Sequence, residues 1–373
     1  MASKVAIIGG GIVGASTAYY LSRFPGAGHL DVTMFDSGYG QATKAAAGII
    51  SPWLSKRRNQ QWYHLARKGS ALLSQLAKEA KLPPDVYDQS GAIITRSNES
   101  RVQALYNLAL QKRKAAPTIG KVVKLTSHEV RQRIPLLSRS LPGIFISGGA
   151  RVNGRKLTRF LTYLAQRQNL TIVHKKVSLV SDHRIKIGHH LSSFDWIVIA
   201  TGAWMKQTLL PLGIDADIRP QKGQLIVIQT HHAFDYRRLP VLTPEGEYDF
   251  LPFENGQLVV GATHDDQKKF DLSPSRQASL KLLQAAQHLV SGLQVRDIQK
   301  IRTGTRGYTS DYGPFFGRVP GHLHLLAGGG LGSSGLTTGP IIGKLLAELI
   351  LVKSSLNFDY YEKPIQKYFK VRS

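Results

Sequence analysis

The sequence predicts an α/β protein in which a domain built on a parallel sheet is interleaved with a smaller α+β domain built on a mostly antiparallel sheet. Three observations lead to this class. A strand–helix–strand pattern opens the chain, similar patterns return in the middle and at the end, and short strand-like segments fill residues 215–310. The length of 373 residues favours two domains, and the 42% share of hydrophobic residues argues against wholesale disorder.

The elements of the first domain come from three separate pieces of the chain. The predicted strands are residues 4–8, 31–35, 171–180, 196–200 and 324–327, and the predicted helices are residues 12–23, 59–81, 153–168 and 338–351. We therefore assign residues 1–84, 150–214 and 312–373 to the first domain.

The second domain takes the two remaining pieces, residues 85–149 and 215–311. Its predicted strands are residues 91–95, 224–229 and 257–262, and its predicted helices are residues 98–115 and 274–291. Because the strand-like pieces between residues 215 and 310 are separated by loop-rich sequence, we expect them to pair in an antiparallel sheet.

A glycine-rich turn joins the first predicted strand to the first predicted helix. Gly9, Gly11 and Gly14 match the pattern G-x-G-x-x-G. The first glycine permits a tight turn, the second lets a diphosphate approach the backbone, and the third lets the helix pack against the sheet. Asp36, at the end of the second strand, is placed to accept hydrogen bonds from ribose hydroxyls. The pattern predicts a Rossmann-type dinucleotide site and suits NAD and FAD equally.

Two further segments indicate which dinucleotide is bound. Residues 43–48 are a run of small residues where the backbone comes close to something large, and residues 195–204 are a buried strand that ends in a glycine turn. With these segments the chain resembles the D-amino acid oxidase (DAO) superfamily of FAD enzymes, and within it the branch of glycine oxidases and D-amino acid dehydrogenases. The matching motifs occur in the family's order through about residue 350 and are residues 9–14, 43–48, 149–153, 200–204, 219–224, 258–263, 304–306, 311–317 and the closing glycine-rich turn with its helix.

The resemblance implies an FAD-binding domain of Rossmann type and a substrate domain, with the flavin ring between them near residues 43–50 and 330–337. N–H groups at the start of the last helix would stabilise negative charge on the reduced flavin. The residues expected to contact FAD are Gly9, Gly11, Ile12, Val13, Gly14, Asp36, Ser37, Thr43, Ala46, Ala47, Gly48, Ile50, Val177, Thr201, Gly202, Trp204, Arg306, Gly332, Ser333, Ser334, Gly335, Leu336 and Thr337.

The resemblance also implies the chemistry, which is oxidation of the C–N bond of an amino acid or a related amine carboxylate. Hydride passes to flavin N5 and leaves an imine that hydrolyses. Arg306 matches the family arginine that binds the substrate carboxylate, and its alternative is a structural ion pair, for example with Asp311. Tyr248 lies close to a family tyrosine at the substrate mouth, although a count back from Pro252 puts Asp249 at that place.

The chain departs from the family pattern at three places. Ser333 stands where the glycine oxidase branch carries a second substrate-contacting arginine, which puts glycine itself in doubt as the substrate. Val259 stands where sarcosine oxidases carry a lysine that promotes reaction with oxygen, so both an oxidase and a dehydrogenase stay open. Gly330 and Leu331 occupy the place of the usual histidine of the last turn.

Composition excludes several classes of site. The chain has no Cys, which removes disulfides, thiolate ligands and flavin attachment through sulfur, so we expect FAD to bind non-covalently. No metal site is predicted, because His189-His190 and His231-His232 lie in polar stretches typical of solvated side chains. The most apolar late run, residues 341–352, is too short to span a bilayer and is broken by two charged residues. We expect a cytoplasmic, soluble protein.

The net charge of +25 leaves the question of partners open. Its basic residues are scattered over the chain, which favours a basic surface over a specific nucleic-acid site. One alternative is an enzyme of the same fold that acts on a modified wobble uridine of tRNA, and another is a non-catalytic FAD-binding protein. The oligomeric state also stays open, a homo-oligomer included.

Overall fold

The computed structural model describes residues 2–25, 27–55, 57, 59–230, 239–252, 256–351, 360–361 and 363–371. Within these ranges the helices are α1 Ile12–Arg23, α2 Ala42–Ala45, α3 Gln60–Glu79, α4 Glu99–Ala115, α5 Ser127–Arg133, α6 Gly154–Gln166, α7 Met205–Leu209, α8 Arg276–Gln287 and α9 Gly335–Leu351.

The strands of the described residues form two large sheets and several small ones. They are β1 Ser3–Ile8, β2 Leu30–Phe35, β3 Ile49–Ile50, β4 Tyr87–Asp88, β5 Ala92–Thr95, β6 Val122–Leu125, β7 Gly143–Ile146, β8 Ala150–Val152, β9 Leu170–Val173, β10 Ser178–Leu179, β11 Arg184–Ile187, β12 His190–Ser193, β13 Trp196–Ile199, β14 Ile214–Ala216, β15 Arg219–Gln229, β16 Val241–Thr243, β17 Asp249–Pro252, β18 Gln257–Gly261, β19 Ile298–Tyr308, β20 Phe315–Arg318, β21 Leu325–Gly329 and β22 Phe369–Val371.

The first large sheet has six strands in the order β20-β21-β13-β1-β2-β9. All its neighbours pair in parallel except the edge pair β20–β21. The central strands β1 and β13 carry continuous apolar runs because both faces of the sheet are covered. Helices α1, α3, α6 and α9 pack on one face, and strands β10 and β11 with helix α7 cover the other.

The second large sheet has eight strands in the order β19-β15-β18-β17-β16-β5-β7-β6. Its pairs are antiparallel except β16–β5, which is parallel. Helix α8 packs on one face of this sheet, where it contacts the apolar side chains of the strands. The opposite face packs against α4 at one end and faces the first sheet at the other. The predicted α/β class with two interleaved sheets, one largely parallel and one mostly antiparallel, is confirmed.

Most predicted elements lie within a few residues of their observed bounds, but one predicted strand is wrong. Residues 171–180 do not form a single strand, because the chain leaves the six-stranded sheet after β9 and re-forms as β10 in a separate antiparallel sheet with β11 and β12. Val177 lies between the two pieces. The exact domain limits stay a prediction.

The segment Gly332–Leu351, which includes α9, is long and apolar enough to cross a membrane, and 78% of it is buried inside the protein. It packs against α1 and α3, so the burial is that of a core helix. Close contact with α1 requires small residues, since a Cβ at Gly343 would lie 2.5 Å from the Cβ of Ser16.

Candidate active site

A cavity of about 860 Å³ runs from the glycine-rich turn after β1 to the eight-stranded sheet. It is lined by residues of both large sheets and by the turn that precedes α9. The predicted FAD residues that line it are Gly9, Gly11, Ile12, Val13, Asp36, Ser37, Thr43, Ala46, Ala47, Gly48, Val177, Thr201, Gly202, Trp204, Arg306, Gly332, Ser333, Ser334, Gly335, Leu336 and Thr337. Residues far apart in the chain are therefore brought together along one surface.

The turn between β1 and α1 has the geometry that its glycines predict. Gly9 has φ +107°, and a Cβ there would lie 2.5 Å from the carbonyl oxygen of Ala200. A Cβ at Gly14 would overlap the carbonyl oxygen of Gly9. At Gly11, by contrast, the nearest atom to an added Cβ is the Thr43 hydroxyl at 3.5 Å, so this position leaves open space toward the cavity.

The start of α1 faces the cavity without an acidic side chain in its first turn. Gly11 caps the helix without a side-chain hydrogen bond, and the Ile12 N–H donates to the Thr43 hydroxyl at 3.0 Å. A helix start of this kind attracts anions through its free N–H groups and its partial positive charge.

Asp36 lies on the cavity wall, but its carboxylate is already engaged. The Gln41 side-chain amide donates to both oxygens, at 2.7 and 2.8 Å, and Lys44 lies 3.8 Å away. Sequence reasoning missed Gln41, for which the family motifs carry no signal. The amide holds the carboxylate in one orientation at the edge of the cavity.

The turn before α9 closes the other end of the cavity. The Ser333 N–H donates to the Tyr308 hydroxyl at 3.1 Å, and a Cβ at Gly332 would overlap the Tyr308 ring. The Ser333 hydroxyl accepts a hydrogen bond from Arg57 Nη2 at 3.0 Å. The guanidinium of Arg57 thus lies beside residue 333, the position at which the glycine oxidase branch carries its second arginine. Arg57 itself comes from a distant part of the chain.

Three of the predicted site residues do not line the cavity. Gly14 lies in the contact between α1 and the sheet, and Ile50 is a core residue that is 1% exposed. Tyr248 packs among the apolar residues under α8. Asp249 lines the cavity instead, because neighbouring residues of a strand point to opposite faces of the sheet. The residue that lines the cavity is therefore the one that the count back from Pro252 gives.

Arg306 projects from β19 onto the cavity face of the eight-stranded sheet. Its Nη1 donates to the Gln221 side-chain carbonyl and its Nη2 to the Thr263 carbonyl, both at 3.1 Å. Burial lowers the pKa of the guanidinium, and the Tyr308 hydroxyl acts in the opposite direction. The alternative ion pair with Asp311 is absent among the described residues, since Asp311 pairs with Lys363 and Lys367, each at 2.5 Å.

Two further ionisable groups, Asp249 and His264, also line the cavity. Burial raises the pKa of Asp249 to about 6, and a hydrogen bond with Thr243 acts against this shift. Burial and then the charge of Arg306 lower the pKa of His264. Sequence reasoning missed His264, which follows the 258–263 motif directly.

No metal site is found among the described residues, where no group of three or more His, Cys, Asp or Glu side chains is placed to hold an ion. His189 and His190 are exposed near the turn between β11 and β12. His231 and His232 lie outside the described residues.

A model of the DAO family of FAD-dependent oxidoreductases matches residues 4–349. The chain belongs to this family. The uncharacterized oxidoreductase YurR of Bacillus subtilis (strain 168) is 36% identical over 359 residues, which cover 94% of this chain and 95% of that protein. The glycine oxidase of Geobacillus kaustophilus (strain HTA426) is 25% identical over 358 residues, which cover 93% of this chain and 92% of the relative.

The chain is also similar to solved structures of related enzymes. The crystal structure of iminodiacetate oxidase from Chelativorans sp. BNC1 has a TM-score of 0.88 and 32% sequence identity, and 98% of each chain is covered. The crystal structure of glycine oxidase from Geobacillus kaustophilus has a TM-score of 0.81 over 96% of this chain and 98% of that chain, at 24% identity. The protein is therefore an FAD-dependent oxidoreductase related to glycine oxidase and iminodiacetate oxidase.

The residues of the cavity fit an FAD molecule. The open side of Gly11 and the start of α1 suit its diphosphate, and the carboxylate of Asp36 lies at the adjoining wall. The same cavity is lined by Val177, Thr43 and, in the turn before α9, Ser333. These residues would hold FAD, which would supply the hydride acceptor in the same cavity that Arg306 lines.

Proposed function

We propose that this protein oxidises the C–N bond of an amine that carries a carboxylate. The observation that supports this most directly is Arg306, a half-buried guanidinium on the cavity wall with no carboxylate within ion-pair distance among the described residues. A cation held partly out of water without a counter-ion is unfavourable, so the site favours a ligand that brings a negative charge.

Arg306 is held in position before any ligand arrives. Gln221 and Thr263 fix its two terminal nitrogens, and the side chain, which carries further N–H groups, lines the cavity. A planar guanidinium held in this way suits bidentate binding of a carboxylate. It would place the α-carbon of the substrate reproducibly, and most of the rate enhancement in such a reaction comes from positioning.

Asp249 supports the amine part of the proposal. Its side chain lies on the same face of the sheet as that of Arg306. Asp249 pairs with Gly261, and Gly261 pairs with Leu225 of β15. Arg306 pairs with Gln221 of the same strand, which lies an even number of residues from Leu225 and therefore points to the same face. Its raised pKa identifies a carboxyl group without a cation beside it in the described residues. We assign it to the ammonium of the substrate, from which it takes a hydrogen bond and then a proton.

The chemical step requires a neutral amine, because a proton on nitrogen opposes loss of hydride from the neighbouring carbon. FAD, when bound, supplies the acceptor for that hydride. Asp249 removes the proton, Arg306 holds the carboxylate, and the substrate leaves as an imine that water hydrolyses. Two relatives, a glycine oxidase and an iminodiacetate oxidase, are named for substrates that are amines carrying a carboxylate.

Anaerobic mixing of the FAD-loaded protein with glycine, D-alanine, sarcosine and iminodiacetate tests the proposal. We expect at least one of them to bleach the visible absorbance of the flavin, whereas dimethylamine, which matches sarcosine without its carboxylate, leaves the absorbance unchanged. Bleaching by none of the amine carboxylates would overturn the proposal.

An Arg306→Ala variant tests the role of the guanidinium. We expect it to keep its FAD and to lose reduction by carboxylate substrates by about 100-fold or more. Arg131→Ala, which removes an exposed arginine of α5, is the matched control and should behave as the wild type. Unchanged reduction in the Arg306→Ala variant would contradict the assignment.

A further inference from the structure

A second guanidinium, that of Arg57, lies on the wall of the same cavity. Its Nη2 donates to the Ser333 hydroxyl at 3.0 Å, and its Cζ lies 4.7 Å from the centre of the Trp62 ring. Trp62 is fixed in turn, since its indole N–H donates to the Ser334 hydroxyl at 3.0 Å. Arg57 is therefore held against the turn before α9 by stacking and by a hydrogen bond.

Neither Arg57 nor Arg306 has a carboxylate within ion-pair distance in the described part of the chain. The acidic side chains that line the cavity either bind other groups or have no cation beside them among the described residues. Glu245 binds Arg101 and the Ser97 N–H, and Asp36 binds Gln41 and Lys44. Burial lowers the pKa of both guanidinium groups, as expected for cations removed from water without a counter-ion.

The two guanidinium groups are neighbours of one phenol. Arg57 bonds to the Ser333 side chain, the Ser333 N–H donates to the Tyr308 hydroxyl at 3.1 Å, and Tyr308 follows Arg306 by two residues on β19. Tyr308 acts against the lowering of both pKa values, and Tyr312 does the same for Arg57. The anchors of the two arginines are different, however. Arg57 is held by the turn before α9, and Arg306 by two residues of the eight-stranded sheet. Each keeps N–H donors that no described residue uses.

We propose that Arg57 and Arg306 bind two separate carboxylates of one substrate, so that the site is built for an amine dicarboxylate. This inference rests on the proposed function for the amine, but the paired anion sites can be tested without any oxidation. Both guanidinium groups line the cavity without a carboxylate in the described part of the chain, so a ligand with two negative charges offsets both. A monocarboxylate leaves one guanidinium uncompensated.

The test is calorimetric titration of the FAD-loaded protein with diglycolate and with methoxyacetate. The two ethers have the same backbone and differ by one carboxylate, and neither contains an amine. We expect the wild type to bind diglycolate at least tenfold more tightly than methoxyacetate. Equal affinities would overturn the inference.

The variants Arg57→Gln and Arg57→Lys identify the second site. We expect Arg57→Gln to weaken diglycolate at least tenfold, to leave methoxyacetate within about twofold and to keep its FAD, while Arg57→Lys retains part of the discrimination because it keeps the charge. Arg131→Gln is the control for net charge. Equal weakening of both ligands, or loss of FAD affinity with unchanged discrimination, would assign Arg57 to another role.

Failure of this inference is distinguishable from failure of the proposed function. Reduction of the flavin by sarcosine and iminodiacetate alike, with no preference for diglycolate, would sustain amine oxidation and overturn the dicarboxylate site. Tight, Arg57-dependent diglycolate binding without reduction by any amine carboxylate would overturn amine oxidation and sustain the paired anion sites.

Discussion

The guanidinium of Arg306 lies directly over Gly223, where an added Cβ would come within 2.5 Å of Nη2 and 2.9 Å of Cζ. Gly223 is on β15 and pairs with Gly304, two residues before Arg306 on β19. The arginine side chain therefore reaches across a strand position that has no side chain of its own. This glycine sets where the positive charge of the site lies.

A Gly223→Ala variant should displace the guanidinium and spare the fold. We expect reduction of the bound flavin by carboxylate amines to fall about 10- to 100-fold, because a displacement of about 1 Å disturbs substrate positioning. Stopped-flow reduction measures the effect. Gly28→Ala, where an added Cβ meets nothing within 4 Å, is the control. Wild-type reduction rates in Gly223→Ala would show that the arginine adapts without loss.

The two glycines of the first turn should respond to alanine in opposite ways. A Cβ at Gly11 has room in the protein, so Gly11→Ala should leave the stability of the apoprotein unchanged and weaken FAD binding about tenfold or more. A Cβ at Gly14 meets the Gly9 carbonyl, so Gly14→Ala should lower the free energy of unfolding by about 1–3 kcal/mol.

Thermal unfolding of the apoproteins and fluorescence titration with FAD separate these effects. Each variant serves as the control of the other. A large loss of apoprotein stability in Gly11→Ala would contradict the assignment of its open side to a ligand.

Asp249 should destabilise the protein above pH 6. Burial raises its pKa from 3.8 to about 6, so the folded state holds the proton more tightly than the unfolded state does. The cost of its charge is therefore absent below about pH 4 and fully present above about pH 6. We expect Asp249→Asn to raise the free energy of unfolding of the apoprotein by about 1–3 kcal/mol at pH 8 and by almost nothing at pH 4.

Denaturant unfolding at the two pH values measures the difference. Asp31→Asn, which changes an exposed aspartate of β2, should show no such dependence. The same Asp249→Asn variant should be slower in flavin reduction by amine carboxylates. A gain in stability that is equal at pH 4 and pH 8 would rule out the charge of Asp249 as its cause.

Asp311 should stabilise the C-terminal segment in the opposite pH range. Burial alone would raise its pKa, but hydrogen bonds from Lys363, Lys367 and the Gly313 N–H lower it overall. Its contribution is therefore present above about pH 4 and is lost as the pH falls through the lower folded-state pKa. We expect Asp311→Asn to lower the free energy of unfolding at pH 7 by about 1 kcal/mol, since both lysines are partly exposed to solvent.

Unfolding curves at pH 7 and pH 2 test this expectation, and the difference between variant and wild type should shrink at the lower pH. Asp85→Asn, which breaks a single exposed ion pair with Lys156, should cost less. A larger effect at pH 2 than at pH 7 would contradict the expected direction.

The six-stranded sheet and its glycine-rich turn could be predicted from the sequence because their signals are local. The runs at β1 and β13 are apolar on both faces, and the spacing of Gly9, Gly11 and Gly14 reflects contacts within a few residues. The same holds for the interleaving of the two sheets, since the strand and helix patterns return in separate pieces of the chain. The resemblance to the family's motifs additionally predicted which residues contact FAD.

Only the tertiary structure decided which polar side chains meet in the substrate part of the cavity. Tyr248 and Asp249 are neighbours, and which of them points to the cavity depends on how β17 pairs with β18. Arg57 and Arg306 line the same cavity although they lie far apart in the sequence. Which side chains of a strand face the cavity, and which distant residues become neighbours, depends on how the two sheets and α9 pack together. No local sequence pattern encodes that packing.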